Sequence, residues 1–131
     1  MSEKNKPTIL VVDDYPDNLD LMSAALGNEF RVLVAKGGEQ ALKLATNSIQ
    51  LPDLILLDIF MPEVDGYEVF NQLKNNPVTS KIPIIFITAF DDELFENKGR
   101  NLGADDYITK PISPANVRER IWALLNPPNP A

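Results

Sequence analysis

Four apolar stretches of this chain each run straight into a polar residue from one chemical set. Thr8–Val12 leads to Asp13 and Asp14, residues 54–57 to Asp58, residues 83–87 to Thr88, and Asp106–Thr109 to Lys110. Short apolar runs bounded by turn signals are the pattern of parallel strands buried on both faces. All strand C-termini of a parallel sheet lie along one edge, and folds of this kind place their sites there. Three carboxylates, one hydroxyl and one ammonium are therefore expected to converge. That set suits a divalent cation together with a phosphoryl group.

The segments between these runs carry helical signals, so the chain alternates strand and helix in βα units. Pro16 is placed for a first helical turn, Leu19, Met22 and Leu26 follow at helical spacing, and Gly27-Asn28 closes the segment. Residues 30–35 read as a second strand, with Gly37-Gly38 as its turn, and Ala41, Leu44 and Ala45 mark a second helix. A third helix carries Val69, Phe70 and Leu73 and stops at Asn75-Asn76-Pro77. A fourth, over residues 93–102, has only a thin apolar face in Leu94, Phe95 and Leu102. Ser113 is placed to cap a last helix whose stripe is Val117, Ile121, Leu124 and Leu125. Five strands and five helices with one core give an α/β, doubly wound sheet. Residues 1–6 read as an N-terminal tail, 7–126 as the domain, and 127–131 as a proline-rich tail or linker stub. The initial Met1 favours a natural N-terminus, while the proline-rich end leaves the other side open.

At 131 residues the chain can bury about two thirds of the surface its unfolded form exposes. Acids outnumber bases 19 to 12, for a net charge of −7, which argues against direct binding to nucleic acid or to anionic lipid. No apolar run approaches the roughly 20 residues a membrane-spanning helix needs, and the N-terminus has no signal-peptide core. A cytoplasmic location is expected. The absence of cysteine and histidine removes thiol chemistry, the commonest general base near neutral pH and the commonest zinc ligand.

Carboxylates gathered at a buried strand end either raise one another's pKa or collect a cation. Two of them about 5 Å apart repel by roughly 3 kcal/mol at an effective dielectric near 20. Oxygen-only ligands favour Mg²⁺, or Mn²⁺, which is commonly held by one or two carboxylates with water and phosphate oxygens. A lysine and a threonine hydroxyl beside them supply a fixed charge and a donor for phosphoryl oxygens. Asp58 is then a candidate nucleophile forming an acyl phosphate. Taken singly, Asp13-Asp14 serve equally well as a helix cap, Asp58 as a loop residue, and Lys110-Pro111 as a surface pair. Their joint placement at separate strand ends is what points to chemistry.

Val11-Val12-Asp13-Asp14, Leu57-Asp58 with Met61-Pro62 and Asp65-Gly66, Thr88-Ala89, and Gly103-Ala104-Asp105-Asp106-Tyr107 with Lys110-Pro111 closely resemble response-regulator receiver domains. The resemblance covers residues 7–126 and implies a flavodoxin-like (βα)5 fold, its parallel strands in the order 2-1-3-4-5. It implies that Asp58 is the phosphoacceptor, served by a histidine kinase or histidine phosphotransfer protein. Asp14 would ligate Mg²⁺ directly, Asp13 would act through water, and the Phe60 backbone carbonyl would complete the protein ligands. Lys110, in a cis bond to Pro111, would pair with phosphoryl oxygens, as would Thr88 and the Ala89 N–H. Thr88 and Tyr107 would form the switch, altering the surface of the fourth helix, last strand and last helix for a downstream protein or a homodimer. Arg100, Asp105, Asp106, Arg118 and Arg120 are candidates for charged pairs in such a dimer, although Asn116 stands where dimerising relatives usually carry an acid. Phe60 and Phe90 lie two residues beyond Asp58 and Thr88 and are expected to shield an acyl phosphate from water.

Such a protein catalyses only its own phosphorylation and dephosphorylation, either as a stand-alone regulator or as the receiver of a larger regulator or hybrid kinase. A Mg²⁺-dependent aspartyl-phosphate phosphohydrolase fits less well. Those enzymes usually place an acid two residues after the nucleophile, where this chain has Phe60, and they need a substrate cap. A flavin or nucleotide binder fits less well again, because no glycine-rich phosphate loop follows the first strand.

Overall fold

Runs such as Ile9-Leu10-Val11-Val12 and Leu54-Ile55-Leu56-Leu57 have no polar alternation, so a strand built from them needs cover on both faces. The computed structural model describes residues 6–46, 51–59, 66–88, 105–109 and 113–125 of the chain. It supplies that cover. The elements follow the order β1 (Thr8–Val12), α1 (Pro16–Leu26), β2 (Arg31–Ala35), α2 (Gly38–Ala45), β3 (Leu54–Asp58), α3 (Gly66–Asn75), β4 (Ile84–Thr88), β5 (Asp106–Thr109) and α4 (Pro114–Leu125). All five strands are parallel, in the order β2-β1-β3-β4-β5. The expected helix over residues 93–102 lies outside the described residues, so the last helix carries the label α4.

Alternation along each strand divides the core in two. Leu10, Val12, Ile55, Leu57, Ile84, Phe86 and Tyr107 face α2 and α3, meeting Ala41, Ala45, Val69, Phe70 and Leu73. Ile9, Val11, Leu54, Leu56, Ile85, Ile87 and Ile108 face α1 and α4, meeting Leu19, Met22, Leu26, Val117 and Ile121. In the four described helices, the stripes expected from spacing are thus the buried ones, with Leu44, Leu124 and Leu125 only partly covered. Among the described residues, no helix is long and apolar enough to cross a membrane.

The second strand begins one residue later than expected. The Phe30 N–H donates to Leu26 O at 2.9 Å, closing the turn after α1 instead of joining the ladder. The Phe30 ring lies under Trp122 of α4, with centroids 4.9 Å apart. Glu29 fastens the same helix, since one of its carboxylate oxygens accepts from Trp122 Nε1 at 2.9 Å and the other pairs with Arg118 Nε at 3.1 Å. Arg120 pairs with Asp106 on β5 at 2.6 Å. Arg118 and Arg120, two of the three guanidiniums considered for contacts between copies, therefore have partners within the chain, and Arg100 lies outside the described residues.

Two aspartates pin the opposite edge of the sheet. The Thr8 N–H donates to Asp53 Oδ2 at 2.7 Å, and the Asp53 N–H returns a bond to Thr8 O at 2.7 Å. Asp105 repeats the device on β4, accepting from the Ile84 N–H at 2.8 Å and donating its own N–H to Ile84 O at 3.0 Å. Asp105 is thus engaged in setting the β4–β5 register. Replacing it with alanine leaves the N–H of fully buried Ile84 without its acceptor. Asp105→Ala is expected to lose about 1–3 kcal/mol of stability, read from the midpoint of urea denaturation at unchanged slope.

Candidate functional site

Register places the acids. Val12 stands opposite Leu57 across β1 and β3, so Asp13 and Asp58 follow side by side at the C-terminal edge. The Asp13 N–H extends the ladder by donating to Ala35 O at 3.0 Å, and the Ile59 N–H does so by donating to Ile87 O at 3.1 Å. Both backbones are therefore fixed beyond the last apolar residue. Asp13 and Asp58 are each only 3% exposed, while Asp14 is half-buried. One carboxylate oxygen from each of Asp13, Asp14 and Asp58 lies within 4.8 Å of the other two.

Asp13 is tied into the first turn of α1. Its Oδ1 accepts from the Tyr15 N–H at 2.9 Å, and its Oδ2 accepts from Asn18 Nδ2 at 3.0 Å. The helix cap itself is Tyr15, whose side chain makes no capping bond. The cap reading of Asp13 is thus partly met, with the carboxylate turned toward the helix start while it faces the other acids.

Behind Asp58, α3 comes up against the strand end. The Gly66 N–H donates to Ile59 O at 3.1 Å, and a Cβ on residue 66 would meet Ile59 Cα at 2.6 Å and Asp58 O at 2.7 Å. Only glycine permits that approach. On the same side of the sheet, Phe86 takes edge contacts from three rings: Tyr67 at 5.6 Å, Phe70 at 5.0 Å and Tyr107 at 5.7 Å between centroids. Tyr107, only 7% exposed, is thereby packed inward against β4 two residues before Thr88.

Of the residues singled out from sequence, the structure brings Asp13, Asp14 and Asp58 together. Thr88 is the last residue of β4, opposite Thr109 on β5, and its side chain lies outside the description. Phe60, Ala89, Phe90, and Lys110 with its bond to Pro111 also lie outside the described residues. Sequence reasoning did not find the bond from Asn18 to Asp13, for which the one available signal was an amide five residues downstream in a helical first turn. Gly66 was noted only as part of a motif. Among the described residues the clustered donors are carboxylate oxygens, which fit a hard divalent cation such as Mg²⁺ and not a metal that prefers sulfur.

Comparison with known proteins agrees with this geometry. The family model for the response regulator receiver domain matches residues 9–122. The chain is 45% identical over 126 residues to a probable cyclic di-GMP phosphodiesterase of Vibrio cholerae, a match covering 95% of this chain and 28% of that protein. It is 43% identical over 118 residues to the alkaline phosphatase synthesis transcriptional regulatory protein PhoP of Bacillus subtilis, covering 89% and 48% respectively. The chain thus spans less than half the length of these curated relatives. A putative response regulator from Chloroflexus aurantiacus superposes with a TM-score of 0.85 at 31% identity, over 92% of this chain and 98% of that one. A CheY-like receiver domain protein from Methanospirillum hungatei gives 0.83 at 28% identity, over 93% and 95%.

At separations within 4.8 Å and an effective dielectric near 20, each pair of ionised carboxylates repels by about 3 kcal/mol or more. Removing one charge relieves two such pairs. In metal-free buffer Asp58→Asn is expected to be more stable than the unsubstituted chain by about 1–3 kcal/mol in urea denaturation, with Mg²⁺ narrowing the gap.

Proposed function

The chain belongs to the response regulator receiver domain family, and from that membership we propose that Asp58 is its phosphoacceptor. It is a phosphoacceptor domain of two-component signalling. The observation that carries the assignment to Asp58 is its position, buried at the end of β3 with a carboxylate oxygen within 4.8 Å of those of Asp13 and Asp14.

A carboxylate oxygen of Asp58 attacks the phosphorus of a phosphohistidine on a histidine kinase or phosphotransfer protein. A P–O bond forms, the P–N bond breaks, and the departing imidazole nitrogen takes a proton from solvent. Asp14, Asp58 and the Phe60 carbonyl, with Asp13 through water, would hold Mg²⁺ or Mn²⁺, which when bound would supply positive charge against the phosphoryl oxygens. Asp13 and Asp14 keep the pocket too negative to accept a phosphoryl group without such a cation. Lys110, Thr88 and the Ala89 N–H take the phosphoryl oxygens in this reading, which rests on their positions at or just beyond the ends of β4 and β5.

The switch in this reading is Thr88 with Tyr107. Its support is the ring contact between Tyr107 and Phe86, which links β5 to the strand that ends at Thr88. The output surface is that of β5, α4 and the residues between β4 and β5, offered to a downstream protein or a second copy. A cytoplasmic location and the absence of turnover on external substrates belong to the same reading. So does the alternative that the domain works inside a larger regulator or hybrid kinase, which the partial coverage of relatives accommodates.

Incubation with acetyl phosphate and Mg²⁺ is expected to add one phosphoryl group by intact mass. Chelation of the metal or Asp58→Asn is expected to abolish the addition; labelling that survives Asp58→Asn would refute the assignment. Beryllofluoride, a non-covalent mimic of the phosphoryl group, is expected to shift the ring resonances of Tyr107 and Phe86 in NMR spectra. Rings that stay unperturbed would remove Tyr107 from the switch.

A further inference from the structure

Asn18 has no role in the reading above, yet its side chain reaches from α1 into the acid pocket and bonds Asp13. Its Nδ2 donates to Asp13 Oδ2 at 3.0 Å while the Tyr15 N–H holds Oδ1 at 2.9 Å. Both oxygens of a carboxylate that is 3% exposed thus accept from donors anchored in the first turn of α1. The backbone of Asn18 is itself fixed there, its N–H donating to Tyr15 O at 3.0 Å. These two bonds tie the Asp13 carboxylate to the start of α1.

That constraint distinguishes cations. Mg²⁺ requires a near-ideal octahedron and keeps several waters, whereas Ca²⁺ accepts six to eight oxygens and readily takes a carboxylate through both. An ionised carboxylate has lone pairs beyond those two bonds, but rotating Asp13 until both oxygens face one cation would strain the charge-assisted bonds that orient it. We infer that Asn18 is a positioning residue that sets the cation preference of the pocket, favouring the small hydrated ion by holding Asp13 out of two-oxygen coordination. The inference rests on the reading of Asp13, Asp14 and Asp58 as a Mg²⁺ site and adds to it the residue that makes the site selective. Asn18→Leu keeps much of the side-chain volume and removes the donor to Asp13 Oδ2.

The test is calorimetric titration of the full chain with MgCl₂ and with CaCl₂, for the unsubstituted protein, Asn18→Leu and Asn18→Ala. The alanine variant guards against a leucine that does not fold, and urea denaturation in metal-free buffer checks both. The ratio of the Ca²⁺ to the Mg²⁺ dissociation constant is expected to fall by about tenfold in either folded variant, the scale typical of groups that orient a metal ligand. A variant that weakens both ions equally, or leaves the ratio unchanged, overturns the role of Asn18 while the Mg²⁺ reading stands on the binding of the unsubstituted chain. If the unsubstituted chain binds neither ion, the Mg²⁺ reading and the inference fall together.

Discussion

Mutual repulsion among three carboxylates at the end of a buried sheet is the condition around which the rest of the molecule is arranged. Left to solvent, Asp13, Asp14 and Asp58 would separate. They stay together because β1 and β3 are adjacent, parallel and in a register that makes their next residues neighbours. Sliding either strand would carry Leu10, Val12, Ile55 and Leu57 out of one core layer and Ile9, Val11, Leu54 and Leu56 out of the other. Burial on both faces thus holds an electrostatically unfavourable cluster in place, and that cluster is what a divalent cation can relieve.

Aspartate plays two contrary parts in this sheet. At the N-terminal edge, Asp53 and Asp105 each exchange a pair of hydrogen bonds with the start of a neighbouring strand. At the C-terminal edge, Asp13 and Asp58 share a confined space with Asp14. One edge uses the carboxylate as an acceptor for strand N–H groups and so fixes register. The other concentrates charge. The same side chain is structural or chemical according to whether backbone donors or other carboxylates surround it.

The strands were legible because parallel strands covered on both sides leave continuous aliphatic runs, and the acid cluster was legible because those runs ended in it. Edge strand β2 was read less well: Phe30 looks like its first residue, but only the structure shows its N–H committed to Leu26. The bonds of Asp53 and Asp105 to strand starts could not be read, since each joins backbone far away in sequence. Asp105 looked from its neighbours like part of a charged surface, and its partner Ile84 lies in another strand. Asn18 was passed over for a related reason. An amide in a first helical turn is ordinary until the strand before it ends in a buried acid.

Helix α3 is held at both ends, and this has a bearing on how a signal leaves the site. Its first residue, Gly66, abuts the backbone of Asp58 and Ile59. Beyond its last turn, Thr79 Oγ1 donates to Leu73 O at 2.5 Å, and Lys74 Nζ donates to Ser80 O at 3.3 Å and Ile82 O at 3.1 Å. A helix so bolted acts as a stator. Under the proposed switch, a displacement at Asp58 would be opposed on the α3 side and would pass across β4 toward β5. Geometry alone would then make one flank of the sheet the quiet side and the other the side on which a partner can feel the event.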